Sequence, residues 1–251
     1  MPHTSTCSPA KNHVTLTTLV VLALALLLPS STAFGQQTYV SRFNTYIGYS
    51  FLDSPHVGLF ENGLHYQAGV NPTTWLALGF DYSFSRGNLT LTPDLLTTTL
   101  QQQLGVELAE LAKLGYSIPS PLTVPIHSGT QTFAGGPQLE FRHYAKVTLF
   151  LRPSIGVIYE RATPHPVGVI PLIVVGGLLN GKTSTTDSTP FYGFGGGADW
   201  NVSKHVALRV QADLVHDHLF SNLLKDGRLT TRFSVGPTFN FGSNISKAGS
   251  K

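Results

Sequence analysis

The stretch 75-WLALGFDYSFS-85 alternates without a break. Leu76, Leu78, Phe80, Tyr82 and Phe84 share one parity, and Ala77, Gly79, Asp81 and Ser83 share the other. A period of two belongs to an extended strand whose two faces meet unlike surroundings, because successive side chains point to opposite sides of the backbone. The same alternation returns in 207-ALRVQADLVHD-217, where Leu208, Val210, Ala212 and Leu214 oppose Arg209, Gln211, Asp213 and Asp217. It returns again in 232-RFSVGPTFNF-241, with Phe233, Val235, Phe239 and Phe241 on one side and Arg232, Ser234, Thr238 and Asn240 on the other.

Working outward from these segments, eight strands fall at 40–52, 62–71, 75–87, 130–144, 146–160, 189–200, 205–218 and 228–241. Short turns at 71–74, 144–146 and 201–204 alternate with longer links around 53–61, 88–129, 161–188 and 219–227. Short connections at one end and long ones at the other predict an all-β fold, an eight-stranded antiparallel up-and-down barrel built of hairpins. Within the second long link, Thr92 stands at a capping position and Pro93 at a first helical position. Leu96, Leu100, Leu104, Leu108 and Leu111 then line one stripe as far as Gly115, which predicts one amphipathic helix over 93–115. The apolar segment 167–179 is interrupted by Pro171 and Gly176-Gly177, and is expected to form a loop or hairpin extension against the barrel rim or lipid. Pro137 and Pro237 fall inside strands, where a missing N–H costs a ladder bond, so bulges are expected there.

The 251 residues suit one domain, and a charged fraction of 12% with 10% aromatics excludes general disorder. The formal charge is only +3 and the basic residues do not cluster, so nucleic-acid binding has no electrostatic footprint. Lys11 and His13 precede the apolar run 14-VTLTTLVVLALALLLP-29, and Ala33 and Gly35 then suit a peptidase cut before Gln36. Residues 1–35 therefore read as a cleaved signal peptide, 36–242 as the barrel domain and 243–251 as a short polar tail. The single cysteine, Cys7, leaves with the signal, which excludes disulfides and thiolate metal sites from the mature chain. No cofactor and no metal is expected.

Alternation alone does not say which face is wet. All eight lysines, at 11, 113, 146, 182, 204, 225, 247 and 251, avoid the bodies of the strands. The polar parity instead carries Arg42, Asp81, Glu140, Arg142, Arg152, Glu160, Asp199, Arg209, Asp213, Asp217, Arg228 and Arg232. Acids balanced by arginine, whose planar fork pairs carboxylates bidentately, suit a crowded interior that must neutralise its own charge. Gly48, Gly79, Gly156, Gly195, Gly197 and Gly236 share that parity and leave room for the arginines. One register of the last hairpin sets Asp213 opposite Arg232 and Asp217 opposite Arg228, and a register across strands four and five sets Glu140 opposite Arg152. The other parity is apolar, with Tyr49, Tyr66, Tyr192 and Trp200 expected as an interfacial girdle and Trp75 and Tyr144 at the turns.

Taken with the signal segment, 46-YIGYSF-51, 77-ALGFDYSFS-85, 191-FYGFGGGADWNVSKHVALRVQADL-214 and the last strand 232–241 make the chain resemble the small outer-membrane β-barrel family, the architecture of the OmpA transmembrane domain and OmpX-like proteins. That resemblance implies residence in the outer membrane of a Gram-negative cell, contact with membrane lipid and lipopolysaccharide, and a monomer. It also implies insertion by the barrel assembly machinery, with Phe239 and Phe241 as the signal in the last strand. The function expected is non-enzymatic, a structural or surface-interaction role through the long loops. Two alternatives stay open: a narrow porin-like channel, and a lipid A-modifying enzyme using His216, His218 and Ser221 near the long-link end of strand seven. The spacing of those three residues does not match a deacylase signature, and no catalytic residue is assigned.

Overall fold

A computed structural model describes residues 37–225 and 227–246; the signal segment, the cut before Gln36 and residues 247–251 lie outside them. Eight strands form: β1 (Ser41–Ser54), β2 (Leu59–Val70), β3 (Leu76–Leu91), β4 (Val124–Phe141), β5 (Val147–Pro164), β6 (Thr185–Asn201), β7 (Val206–Asp217) and β8 (Arg228–Asn244). Each pairs antiparallel with the next, and β8 returns to β1, so the sheet closes in strand order with no free edge. Closure follows from the hairpins. A single alternating sheet buries one face only by curling onto itself, and the curl also removes the edges that invite aggregation.

Several strands run further toward the long-link end than their hydrophobic contrast indicates. β4 starts at Val124 and β5 reaches Pro164 because inward-facing Ile126, Ser128 and Ala162 stay buried there while outward positions turn polar. The first long link is in fact tight. Val57 N–H donates to Ser54 O, and Gly58 takes the left-handed backbone, φ +64°, that a side chain resists.

The expected helix over 93–115 is divided. A 3₁₀ turn, Pro93–Leu95, is followed by helix α1 (Thr98–Lys113), whose N-cap is Thr97 and not Thr92. Leu96 between them is held in an isolated bridge to Leu224, which stops the helix from propagating backward. The segment expected to be a loop is also a helix, α2 (Val169–Leu178). Pro171 sits in its first turn, where the missing N–H has no intrahelical acceptor anyway, and Gly176-Gly177 fall at its end. Ile170 and Val174 of α2 pack with Leu96, Leu104 and Leu122, so the leucine stripe of α1 is covered by the second helix.

Pro137 and Pro237 produce no bulge. The β3–β4 register runs through Leu78↔Pro137 unbroken, and the β7–β8 register through Leu208↔Pro237. The cost falls on the other side of each proline, where β4–β5 pairing lapses between Gly135↔Ile155 and Leu139↔Leu151 and β1–β8 pairing lapses between Tyr46↔Thr238 and Tyr49↔Val235, the register surviving both gaps. An antiparallel residue directs its N–H to one neighbour only, so a proline empties one ladder and leaves the other intact. The register shift falls instead between Ser41 and Phe43, where β1 meets β8.

The interior changes character along the barrel. Toward the long links, inward-facing Leu52, Leu89, Ile126, Ile158 and Phe191 join Leu219 and Phe220 of the last link in one apolar cluster. A cavity of about 60 Å³ remains there, bounded by Leu89, Ala162, Val175, Phe220 and Leu224. The roof is thus packed onto the barrel and not onto itself alone. Unboiled protein in cold SDS is expected to migrate as a faster, folded species than boiled protein. The pair Leu104→Ser and Val174→Ser should keep that shift while exposing links 92–123 and 165–184 to protease.

Candidate functional site

The centre of the lumen holds two carboxylates and two guanidinium groups from four strands. Arg152 of β5 places Nη1 2.7 Å from Asp81 Oδ2 and Nη2 2.9 Å from Asp213 Oδ1. Arg232 of β8 places Nη2 3.0 Å from Asp213 Oδ2 and Nη1 3.3 Å from Asp81 Oδ1. Each arginine bridges both acids, so charge alternates around the group and sums to zero. Hydroxyls add acceptors for Arg232, whose Nη1 lies 2.9 Å from Ser83 Oγ and 3.0 Å from Thr132 Oγ1. His65 of β2 completes the cluster, its Nε2 2.6 Å from Asp81 Oδ2 and its Nδ1 3.0 Å from Ser234 Oγ. All these residues are buried. Glycine supplies the room on β6, because a Cβ on Gly195 would lie 2.8 Å from Asp213 Cγ.

Toward the short turns, Arg209 grips Asp199 with Nε and Nη2, both at 2.7 Å, and donates Nη1 to Gln67 Oε1 at 2.6 Å. Its guanidinium also lies over the Phe150 ring, 4.5 Å from the centroid. At the turn rim Glu140 pairs with Arg142, which reaches Gln37 Oε1 at 3.1 Å and Thr74 O at 3.0 Å. Toward the long links, Arg228 bridges Glu160 at 2.8 Å and Asp217 at 3.2 Å, and Ser128 Oγ donates to Glu160 at 3.0 Å.

The structure brings together most of the charges that parity selects, and it sets Asp213 opposite Arg232 and Asp217 opposite Arg228. Two expectations fail. Glu140 faces Phe150, not Arg152, because β4 and β5 pair two residues away from the register that would oppose the charges. Arg42 is exposed and lies outside the network, because the irregularity after Ser41 turns the start of β1 so that Ser41 and Asn44 are the buried residues. Two inward ionisable residues were missed by the sequence reading. His65 is the buried partner of Asp81, and Glu61 is wholly buried with Oε2 2.7 Å from Ser85 Oγ. Parity against Leu64 and Tyr66 gives the direction of both, but not their partners, which lie on β3 and β8.

Outside, the picture inverts. Phe80, Phe133, Ile155, Phe194, Val210, Phe233 and Phe239 are among the large apolar residues left 43–73% exposed, and every strand contributes to the belt. Water would solvate the charged face and collapse the apolar one, so a barrel with the charges sealed inside and a continuous apolar exterior is at equilibrium only in lipid. The chain is a membrane-spanning β-barrel. Trp75, Tyr144 and Trp200 stand at the short-turn rim of the barrel, whereas Tyr49, Tyr66 and Tyr192 face outward within the strand bodies.

No protein-family model and no curated protein sequence matches the chain. Among solved structures, Ail, the attachment invasion locus protein of Yersinia pestis, is similar at 13% identity and a TM-score of 0.45, covering 80% of this chain and 99% of its own. Neisserial surface protein A is similar at 10% identity and 0.46, covering 79% and 96%. The outer membrane protein OprG from Pseudomonas aeruginosa is similar at 8% identity and 0.46, covering 83% and 99%. These likenesses are of fold.

The contacts of the His216 to Ser221 segment lead in different directions. The His216 ring stacks on Tyr192 at 5.1 Å and meets His218 edge-on at 4.9 Å. Asp217 points the other way, into the lumen, where Arg228 and the Leu219 N–H hold it. Ser221 Oγ lies 3.5 Å from Asn222 Oδ1 on an exposed turn. Among the described residues no group of three or more His, Cys, Asp or Glu is placed to hold a metal ion.

Arg232→Ala leaves Asp81 and Asp213 short of a counter-charge in a dry interior, and is expected to cost about 3–5 kcal/mol in urea unfolding from lipid vesicles. Asp213→Ala should cost much less in the Arg232→Ala background than alone. Arg42→Ala should stay within about 0.5 kcal/mol of the parent.

Proposed function

We propose that the chain is a non-enzymatic integral protein of a bacterial outer membrane, a sealed barrel that carries a helical loop platform on the outer surface. The observation that carries the reading is the filled lumen. Ion-paired side chains occupy it at three levels, and the apolar cluster with Leu219 and Phe220 closes the long-link mouth. An eight-stranded interior is just wide enough to be filled by side chains, and here the side chains fill it. The filled lumen argues against the narrow-channel alternative, and the contacts of His216, Asp217 and Ser221 among the described residues argue against the enzyme.

The platform supports the surface-interaction role. Val167, Val169, Leu172 and Ile173 stand 44–79% exposed around α2, and Val106 and Leu114 do so on or just after α1. Solvent-facing apolar residues on elements that already bury a core suit contact with another surface. Lipid on all sides is supported by the belt, to which all eight strands contribute, and the same continuity favours a monomer. Insertion through the barrel assembly machinery rests on Phe239 and Phe241, which face outward on β8 and are 43% and 49% exposed. β8 continues past Phe241 to Asn244, so that aromatic is close to the strand end without being its last residue.

In planar bilayers the refolded barrel should give conductance indistinguishable from the protein-free membrane, and stepwise openings would favour the channel. On expression in a Gram-negative host, lipid A masses should be unchanged. A mass shift that disappears with His216→Ala or Ser221→Ala would establish the enzyme instead.

A further inference from the structure

Most charged strand residues lie in the lumen or at the turn rim, yet Arg86 on β3 and Arg161 on β5 point outward and are exposed. Both are paired with the same residue of β4: Arg86↔Gly129 on one side and Gly129↔Arg161 on the other. Strand spacing sets the two arginine Cα atoms about 10 Å apart with a glycine between them. A Cβ built on Gly129 meets nothing nearer than Arg86 Cγ and Ser85 O, both at 3.9 Å, so the space between the guanidinium stems is open. Arg161 Nη2 is steadied by Ser184 Oγ at 3.3 Å. One row further out, His127 pairs with Asn88 and Thr163, donates from Nδ1 to Asn88 Oδ1, and its ring meets that of His165 at 4.5 Å.

The membrane fixes the height of this notch. On β3 the outward residues are Leu76, Leu78, Phe80, Tyr82 and Phe84, and then Arg86; on β5 they are Leu149, Leu151, Pro153, Ile155, Val157 and Tyr159, and then Arg161. The eight residue steps of tilted strand from Leu76 to Phe84 rise about 21 Å along the barrel axis, close to the roughly 25 Å of an apolar belt. Each arginine is thus the first charge above the lipid tails, on the side of the long links, which in such barrels is the outer surface. The patch is cationic: among the described residues no outward-facing carboxylate lies on β3, β4 or β5, and Asp187 of β6, beside Thr186 opposite Arg161, accepts from the Phe220 N–H. Among outward-facing strand residues at this level the carboxylate is Asp53 on β1, separated from β3 by all of β2, while Glu61 and Glu160 are turned into the lumen.

We infer that Arg86, Gly129 and Arg161 form a binding notch for the phosphorylated headgroup of an outer-leaflet lipid. A phosphate seated over Gly129 is within reach of both guanidinium forks, which match phosphate oxygens bidentately. The lipid's acyl chains continue down over Phe84 and Tyr159, which flank Gln131 in the row below. The inference rests on the outer-membrane placement proposed above, and its test is independent of conductance.

Full-length mature barrel, refolded in zwitterionic detergent, is titrated with bisphosphorylated lipid A, with lipid A stripped of its phosphates, and with inorganic phosphate, and bound lipid is counted by native mass spectrometry. The bisphosphorylated lipid should bind with defined stoichiometry, and Arg86→Ala with Arg161→Ala should weaken it about tenfold or more, since charge-assisted hydrogen bonds contribute roughly tenfold each. Arg86→Lys with Arg161→Lys should fall between, and Asp53→Asn should not weaken it. All variants lie outside the lumen and should keep the cold-SDS mobility shift of the folded barrel. Unchanged affinity in the double alanine variant reduces the arginines to interfacial anchors and overturns the inference. Equal binding of the dephosphorylated lipid overturns it too, as does saturable inorganic phosphate binding without lipid retention. A conducting barrel that still binds lipid through these arginines would sink the sealed-lumen reading and leave the notch.

Discussion

An ionised side chain in a narrow barrel has neither bulk water nor a distant partner to stabilise it, and everything else in this molecule accommodates that constraint. Asp81, Arg152, Asp213 and Arg232 meet it by alternating in sign, so that every charge has opposite charges on both sides. The group spans β3, β5, β7 and β8, and apart from the β7–β8 pair it ties strands that share no ladder across the lumen. Removing one member strands its neighbours in a low-dielectric interior, which is why breaking such a group costs more than its net contribution to stability. Glycine on β6, hydroxyls on β3 and β4, and His65 on β2 are the small and polar groups that let the four large side chains lie in one layer.

The exterior obeys the opposite rule. With no hydrophobic drive between a side chain and lipid tails, the belt needs only to be apolar and continuous, and its residues vary freely among Phe, Leu, Val, Ile and Tyr. Backbone groups have no such freedom, because each unpaired N–H in the membrane is costly. Pro137 and Pro237 show how the barrel tolerates a lapse: one ladder beside each proline opens briefly while the opposite ladder holds the register. Charges outside the lumen are placed where water or headgroups begin, as with Arg42 at the short-turn end and Arg86 and Arg161 at the other.

The roof follows ordinary globular packing. The leucine stripe of α1 and the apolar run of α2 would each be unstable alone in water, and together they bury Leu104, Ile170 and Val174. Leu219 and Phe220 extend that packing into the mouth of the barrel. The lumen thus passes from salt-bridged to oily along its axis.

By itself the sequence determined the number of strands, their order, their direction, and which parity is wet, because a period of two written eight times with lysine kept out leaves one arrangement. The last hairpin's register was legible for the same reason: Asp213 and Asp217 meet Arg232 and Arg228 at one offset, and charge complementarity is strong when burial is complete. What tertiary structure decided is everything that depends on where neighbouring strands fall against one another. The pairing of Arg152 with Asp81 and Asp213 and not with Glu140, the recruitment of His65, and the exclusion of Arg42 all hang on stagger and on one local irregularity, and a one-dimensional pattern carries neither. The second helix escaped for a related reason. Pro171 and Gly176-Gly177 read as breakers along the chain, and only the first helix packed beside them makes the intervening turns worth forming.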